Sequence, residues 1–266
     1  GRKPGLERTQ ALLASLGNPE RRLRFVHITG TNGKGSTAAM TASILAQAGL
    51  RAGLFTSPHL YRFHERMQVN GAPIPDEVLG RLTQQVLEVA EGMSDPPTEF
   101  ELMTAVGMEF FLEEQCDIVV LEVGLGGRLD STNVIPAPEA AVITNIGTSH
   151  IEFLGSREGI CKAKLEILEG LQKDGYAVLC GDEPLLGDKR AQLGCRVVTY
   201  GMENRECDLT ACLHDDGTFD IINNSLPAAS LPAGGRFTAK LSIPGAHNIL
   251  NALAATAVGL LLGETP

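Results

Sequence analysis

A glycine-rich turn between a predicted strand and a predicted helix constrains this chain more than any other stretch. Residues 24–28 form a short apolar run rich in β-branched side chains, which is typical of a strand. Residues 36–48 are alanine-rich, have helical spacing and are followed by Gly49. The turn between them reads Thr31-Asn32-Gly33-Lys34-Gly35-Ser36. A strand, a glycine-rich turn and a helix in this order direct backbone N–H groups at one anion, so the pattern predicts a phosphate-binding loop in which Lys34 reaches the outer phosphates.

This loop departs from the common pattern G-x-x-x-x-G-K-[ST] at two positions. Ile28 stands where the first glycine of that pattern would be, and Gly35 lies between Lys34 and Ser36. An ordinary surface turn would also contain glycines, but it would not require a strand before it and a helix after it. The flanking elements therefore favour phosphate binding over a surface turn.

The charge balance limits the partners of the chain. It has 22 Lys and Arg against 32 Asp and Glu, a formal net charge of −10, which argues against a general nucleic-acid or anionic membrane surface. The six cysteines include no C-x-x-C pair and suggest no zinc site, so we expect reduced thiols in a cytoplasmic protein. No apolar run reaches the roughly 18 to 20 residues of a membrane span. An anionic ligand must then be bound by the local loop.

Three further strands are predicted to end in or near polar side chains. Ser57 follows the run 51–55, Glu122 lies near the end of the run 117–123, and His150 follows the run 140–146. Carboxyl ends of parallel strands meet at one edge of a sheet, so we expect these side chains beside the phosphate-binding loop.

The side chains at this edge have the chemistry of a metal site. Oxygen atoms of Ser57, Glu122 and nucleotide phosphates suit Mg²⁺, and the imidazole of His150 can complete a second cation site. A structural ion pair between Glu122 and Arg128 is the alternative explanation for a carboxylate on a buried strand.

The rest of the chain alternates predicted helices and strands. Helical patterns cover residues 5–16, 75–91, 98–114, 156–171 and 244–262. Strands at 177–180 and 196–200 are followed by shorter strands that form an antiparallel annex at about 205–243. We therefore expect an α/β fold: a P-loop ATPase domain with a mostly parallel, doubly wound sheet and a small antiparallel annex.

Four stretches resemble the folylpolyglutamate and dihydrofolate synthases of the Mur ligase superfamily. They are residues 27–36 (HITGTNGKGS), 56–71 (TSPHLYRFHERMQVNG), 122–134 (EVGLGGRLDSTNV) and 244–255 (PGAHNILNALAA). The resemblance implies that residues 1–266 form the ATP-binding domain of such an enzyme and that the family's C-terminal glutamate-ligase domain is absent from this chain.

The resemblance implies ATP-dependent amide formation in two steps. ATP phosphorylates a folate or dihydropteroate carboxylate, and the amino group of L-glutamate then displaces phosphate. The residues implied in nucleotide binding are Thr31, Asn32, Gly33, Lys34, Gly35, Ser36, Asn248 and Asn251. Those implied in substrate binding are Ser57, Pro58, His59, Arg66, Phe100 and Asp130.

Two Mg²⁺ sites and a modified lysine are also implied. Ser57 and Glu122 would hold the first ion, and Glu122 and His150 the second. The family has a carbamylated lysine near the second metal, and alignment favours Lys164 over Lys162. The implied catalytic residues are Lys34, Glu122, His150 and Lys164.

Two other functions remain open. A muramyl-peptide ligase would share the loop and metals, and both the run 163–167 (AKLEI) and Asn248 resemble that branch. The roughly two dozen residues before the loop are too few for its UDP-sugar-binding domain. The other alternative is an ATP-binding fragment without catalysis. For the enzyme we expect small-molecule substrates, a monomer, and neither nucleic acid nor a membrane as partner.

Overall fold

The computed structural model describes residues 5–124, 129–148, 156–187 and 189–263. The strands are β1 Phe25–Thr29, β2 Ala52–Phe55, β3 Met67–Val69, β4 Ala72–Pro73, β5 Ile118–Glu122, β6 Ala140–Ile143, β7 Tyr176–Cys180, β8 Arg196–Gly201, β9 Leu209–Leu213, β10 Phe219–Asn223 and β11 Arg236–Ala239. The α-helices are α1 Glu7–Ser15, α2 Lys34–Gln47, α3 Asp76–Glu91, α4 Glu99–Glu113, α5 Arg157–Leu165, α6 Pro184–Gly187 and α7 Ala246–Leu261. Short 3-10 helices cover Pro19–Arg22, Phe63–Arg66, Ser131–Val134 and Glu166–Gly170.

All eleven strands belong to one sheet, in the order β11-β10-β9-β8-β7-β6-β1-β5-β2-β3-β4. The strands from β2 to β9 across its centre pair in parallel, whereas β9, β10 and β11 at one end and β2, β3 and β4 at the other pair antiparallel. β1 lies between β5 and β6 in the middle of the sheet, so the loop that follows it opens at the central carboxyl edge. The mostly parallel sheet with an antiparallel annex is confirmed.

Helices cover both faces of this sheet, because successive side chains of a strand point to opposite sides. Val26 and Ile28 of β1 belong to the core that includes buried residues of α2 and α7. Phe25 belongs to the other core, with buried residues of α1, α3 and α4. By the same alternation His27 shares the face of Phe25, under the helices of that second core.

One hairpin was not predicted, and one predicted helix needs correction. Residues 67–73 form the hairpin β3–β4; the sequence indicates its turn at Asn70-Gly71 but not its strands, which have three and two residues. Its turn has positive φ at Asn70 (48°) and Gly71 (80°), as a tight hairpin turn requires. The helix predicted over 156–171 ends at Leu165 and continues as a 3-10 helix, which brings both Ile167 and Leu168 into the core. Among the described residues, no helix is long and apolar enough to cross a bilayer.

Candidate nucleotide and substrate site

The phosphate-binding loop lies between β1 and α2, as predicted. Gly33 precedes the helix with φ of 79°, a conformation that favours glycine, and Lys34 is the first helical residue. Lys34 Nζ donates hydrogen bonds to the carbonyl oxygens of Gly30 at 3.2 Å and Thr31 at 3.4 Å. Both partners are neutral, so a phosphate oxygen would be a stronger acceptor for this ammonium group.

The segment that follows β6 holds this loop in place by hydrogen bonds. The sequence did not suggest these contacts. Thr144 Oγ1 and Asn145 Nδ2 donate to the carbonyl oxygen of Asn32, at 2.6 and 2.9 Å. The Asn32 N–H donates to Asn145 Oδ1 at 2.9 Å, and the Gly147 N–H donates to Thr31 Oγ1 at 2.8 Å. The only signal in the sequence was the polar stretch after a buried strand. These bonds fix the loop backbone from the neighbouring strand.

Helix α7 brings Asn251 to the loop, with Asn248 beside it on the same helix. Thr37 Oγ1 lies 3.3 Å from Asn251 Oδ1, and a Cβ atom added to Gly33 would lie 2.3 Å from the same oxygen. Asn251 Nδ2 donates to Asn248 Oδ1 at 3.4 Å, and Asn248 Nδ2 donates to the Pro244 carbonyl oxygen at 2.7 Å. Asn251 therefore borders the phosphate-binding loop at Gly33, and Asn248 lies next to Asn251 on the same helix.

Glu122 is buried at the end of β5, with 4% of its surface exposed. The Ser57 N–H donates to Glu122 Oε2 at 3.0 Å, and a Cβ atom added to Gly35 would lie 3.4 Å from that oxygen. Burial raises the pKa of Glu122, although the Ser57 N–H and the Lys34 charge oppose this shift. The Glu122 carboxylate thus faces the phosphate-binding loop, and its negative charge is only partly compensated. A cation bound there would offset the cost of burying this charge.

The donor set suits a hard cation that shares its coordination with phosphate. Ser57 and Glu122 are adjacent, and a carboxylate, a hydroxyl and phosphate oxygens are ligands that Mg²⁺ accepts. Within the described ranges, no group of three or more His, Cys, Asp and Glu side chains could hold a metal. His150 and Arg128 lie outside the described residues. The second metal site and the ion pair of Glu122 with Arg128 therefore stay untested predictions.

Of the two lysines considered for carbamylation, Lys162 and Lys164, Lys164 is the buried one. It is 8% exposed on α5, whereas Lys162 is exposed. Burial, with a smaller contribution from the charge of Lys34, lowers the pKa of Lys164 to about 8. The Lys164 amine is therefore within electrostatic reach of Lys34, the lysine of the phosphate-binding loop.

Asp130 and Phe100 meet at Gly124, beyond the end of β5. A Cβ atom added to Gly124 would lie 2.5 Å from the Phe100 ring and 3.1 Å from Asp130 Oδ2. Phe100 is half-buried and makes an edge-to-face contact with Phe55, with ring centroids 6.2 Å apart. An aromatic ring and a carboxylate at one place can bind a flat heterocycle by packing and hydrogen bonding.

The other predicted substrate residues lie on the segment 57–66. The Glu65 carboxylate accepts backbone hydrogen bonds from residues 60–62 at 2.8 to 3.1 Å, and these bonds lower its pKa. Arg66 Nε donates to His59 Nδ1 at 2.9 Å, and Pro58 and His59 are exposed. The sequence did not single out Glu65, which shapes this segment.

The comparisons with known proteins agree with this geometry. The sequence profile described as "Mur ligase middle domain" matches residues 28–259. A relative from Bacillus subtilis (strain 168) named dihydrofolate synthase/folylpolyglutamate synthase is 45% identical over 185 residues, 67% of this chain and 42% of the relative. The chain spans about half the length of the curated relatives it matches.

Two solved structures have the same fold as this chain. One, described as an FPGS–AMPPCP–folate complex, has a TM-score of 0.82 and 31% identity, and the match covers 98% of this chain and 63% of that one. The other, E. coli FolC in complex with DHPP and ADP, has a TM-score of 0.79 and 30% identity, and covers 97% of this chain and 59% of that one.

Proposed function

The chain belongs to the Mur ligase family, and on that premise we propose that it is the nucleotide-binding part of an ATP-dependent ligase that joins L-glutamate to a folate or dihydropteroate carboxylate. The observation that carries the proposal is the buried Glu122 carboxylate, which faces the phosphate-binding loop at Gly35. The names of similar proteins supply the substrate class: a relative is named for both folate activities, and solved structures contain folate or DHPP with a nucleotide.

ATP is the first substrate in this proposal. The backbone N–H groups of residues 31–36 and the Lys34 ammonium group bind its phosphates, and Asn248 and Asn251 bind the base. Support comes from the position of Asn251 beside Gly33 and Thr37, from the hydrogen bond between Asn251 and Asn248, and from the neutral carbonyl partners of Lys34, which a phosphate could replace. A carboxylate oxygen of the second substrate attacks the γ-phosphorus and ADP leaves, which gives an acyl phosphate. The amino group of glutamate then attacks the acyl carbon, and phosphate leaves with that oxygen.

Ser57 and Glu122 would hold one Mg²⁺. When bound, the ion would neutralise negative charge on the phosphate oxygens. Support comes from the adjacency of these residues and from the raised pKa of Glu122, whose charge lacks sufficient compensation in the protein alone. A second ion at Glu122 and His150 stays a prediction, because His150 is outside the described residues.

Carbamylation of Lys164 is part of the same proposal. A lysine reacts with CO₂ only as the neutral amine, and burial lowers the pKa of Lys164 to about 8. The product is an anion, so it would replace the repulsion between Lys164 and Lys34 by attraction.

The second substrate is proposed to bind between Phe100, Asp130 and the segment 57–66. Phe100 offers a ring for stacking, Asp130 an acceptor, and Arg66 a positive charge. The muramyl-peptide alternative has no comparable support, because the relative and the complexes named above are folate enzymes. The monomeric state, the cytoplasmic location and the preference between dihydropteroate and tetrahydrofolate stay predictions.

Phosphate release tests the proposed function. The chain is incubated with ATP, Mg²⁺ and L-glutamate, with or without dihydropteroate or tetrahydrofolate, and Glu122→Ala serves as the control. We expect release that requires a pterin and is lost in the variant. ATP binding without pterin-dependent release, in this chain and in the complete product of its gene, would support the alternative of an ATP-binding protein without catalysis.

A further inference from the structure

A buried hydrogen-bonded chain links strand β1 to Asp130. His27 has no exposed surface, and its Nε2 lies 3.0 Å from Thr132 Oγ1. Thr132 Oγ1 lies 2.5 Å from Asp130 Oδ1, which also accepts the Thr132 N–H at 3.0 Å. His27 and Thr132 are 105 residues apart in sequence. None of these bonds involves the phosphate-binding loop, although His27 lies on the strand that leads into it.

The number of protons on each group determines which atom donates in each of these hydrogen bonds. An ionised Asp130 carboxylate can only accept, so Thr132 donates its single hydroxyl proton to Asp130. Thr132 Oγ1 must then accept from His27, which therefore carries its proton on Nε2. Burial lowers the pKa of His27 to about 4, so the ring is neutral near pH 7. The other ring nitrogen, Nδ1, is buried without a hydrogen-bond partner among the described residues, as expected for the unprotonated position.

The segment that carries Asp130 is also fixed from a second direction. Ser131 Oγ lies 3.0 Å from Thr104 Oγ1 of helix α4, whose hydroxyl donates to the Phe100 carbonyl oxygen at 2.8 Å. These bonds locate the backbone of the 3-10 helix relative to Phe100. The His27–Thr132 bond acts instead on the carboxylate itself, because it polarises the hydroxyl that donates to Asp130.

We propose that His27 is a positioning residue that acts through Thr132 to hold the Asp130 carboxylate in the orientation that binds the pterin ring. The inference rests on the proposed function, since it assumes that Asp130 contacts a pterin. A purely structural bond would stabilise the protein without favouring one ligand over another. If His27 positions Asp130, loss of the His27–Thr132 bond weakens pterin binding and leaves ATP binding unchanged, because the series of hydrogen bonds ends at Asp130, beside Phe100.

The test uses two matched pairs of variants. Thr132→Val removes the hydroxyl at nearly constant shape, and Thr132→Ser keeps it. His27→Leu removes the donor, and His27→Gln places an amide N–H near the Nε2 position. Calorimetry measures the dissociation constants of dihydropteroate and ATP, thermal unfolding measures stability, and ¹⁵N NMR of the histidine rings identifies the tautomer of His27 at pH 7.

We expect dihydropteroate to bind about tenfold more weakly to Thr132→Val and His27→Leu, since the orientation of a charged acceptor is lost. ATP binding should change less than about twofold, and Thr132→Ser and His27→Gln should recover most of the pterin affinity. The NMR spectrum should show the Nε2–H tautomer. Unchanged pterin affinity in Thr132→Val, or a proton on Nδ1, would overturn the positioning role alone. A wild-type chain that binds ATP but neither dihydropteroate nor tetrahydrofolate would instead contradict the proposed function, and the role of His27 with it.

Discussion

Glu122 and Lys164 are both buried near the phosphate-binding loop, although burial disfavours the charged form of each. Burial raises the pKa of Glu122 and lowers the pKa of Lys164 to about 8. Such side chains reduce the stability of the protein alone and become favourable only when a ligand compensates their charge. Residues of this kind are expected at sites that bind charged ligands.

Glu122→Gln should therefore raise the stability of the protein while it strongly lowers its activity. Because the folded-state pKa of Glu122 lies above its ordinary value, the folded protein binds more protons, and stability falls as pH rises from the ordinary carboxyl range to the raised pKa. The glutamine side chain does not ionise, so the variant avoids this loss of stability. We expect a gain of about 1 kcal/mol in the free energy of unfolding at pH 7 and a loss of pterin-dependent phosphate release of about 100-fold or more.

Glu20→Gln is the matched control. Glu20 is also buried, its pKa is also raised by burial, and it lies in the 3-10 helix before β1. This variant should gain stability in the same direction and keep its activity. Glu122→Gln with wild-type phosphate release would contradict the assigned role of Glu122.

Carbamylation of Lys164 is testable by ¹³C NMR. After incubation with ¹³C-bicarbonate, we expect a carbamate signal in the wild-type protein and in Lys162→Met, but not in Lys164→Met. The signal should grow as pH rises from 7 to 8, because the pKa of about 8 makes the neutral amine more abundant over this range. A signal that persists in Lys164→Met would assign the modification to a different amine.

At the scale of elements, the phosphate-binding loop takes its shape from two neighbours, the segment after β6 and helix α7. Asn32 is held by Thr144 and Asn145, and Gly33 packs against Asn251. The loop is therefore already ordered before a nucleotide binds, which reduces the entropy lost on binding.

The variants Gly33→Ala and Gly49→Ala distinguish the effect of backbone strain from the effect of the contact between residue 33 and Asn251. Both glycines have positive φ, 79° and 93°, but only a Cβ atom at Gly33 would collide with a neighbour, Asn251 Oδ1 at 2.3 Å. We expect Gly49→Ala to lose about 1 kcal/mol of stability and Gly33→Ala at least as much, and only Gly33→Ala to lose ATP affinity, by about tenfold or more. Equal ATP affinity in the two variants by calorimetry would show that the contact with Asn251 does not shape the nucleotide site.

At the scale of the whole molecule, one sheet with a core on each face places β1 and β5 at its centre. The sequence was sufficient to predict β1, the loop, α2 and the position of Glu122, because these features are encoded by local runs of apolar residues and glycines. The bonds from Thr144 to Asn32 and from Thr132 to His27 span 112 and 105 residues, so no local pattern could reveal them. The hairpin β3–β4 was missed because its strands are too short to show an alternating pattern.

The central claim is that this protein uses ATP to activate the carboxylate of a folate or dihydropteroate substrate. Transfer of an oxygen atom from that carboxylate to phosphate tests the claim most directly. Dihydropteroate labelled with ¹⁸O in its carboxylate is incubated with ATP, Mg²⁺, L-glutamate and the complete product of the gene, and the released phosphate is analysed by mass spectrometry. An acyl phosphate requires that each phosphate leaves with one oxygen of the carboxylate, so we predict one ¹⁸O per phosphate formed together with the amide product. Unlabelled phosphate would show that water attacks ATP, and would contradict the account.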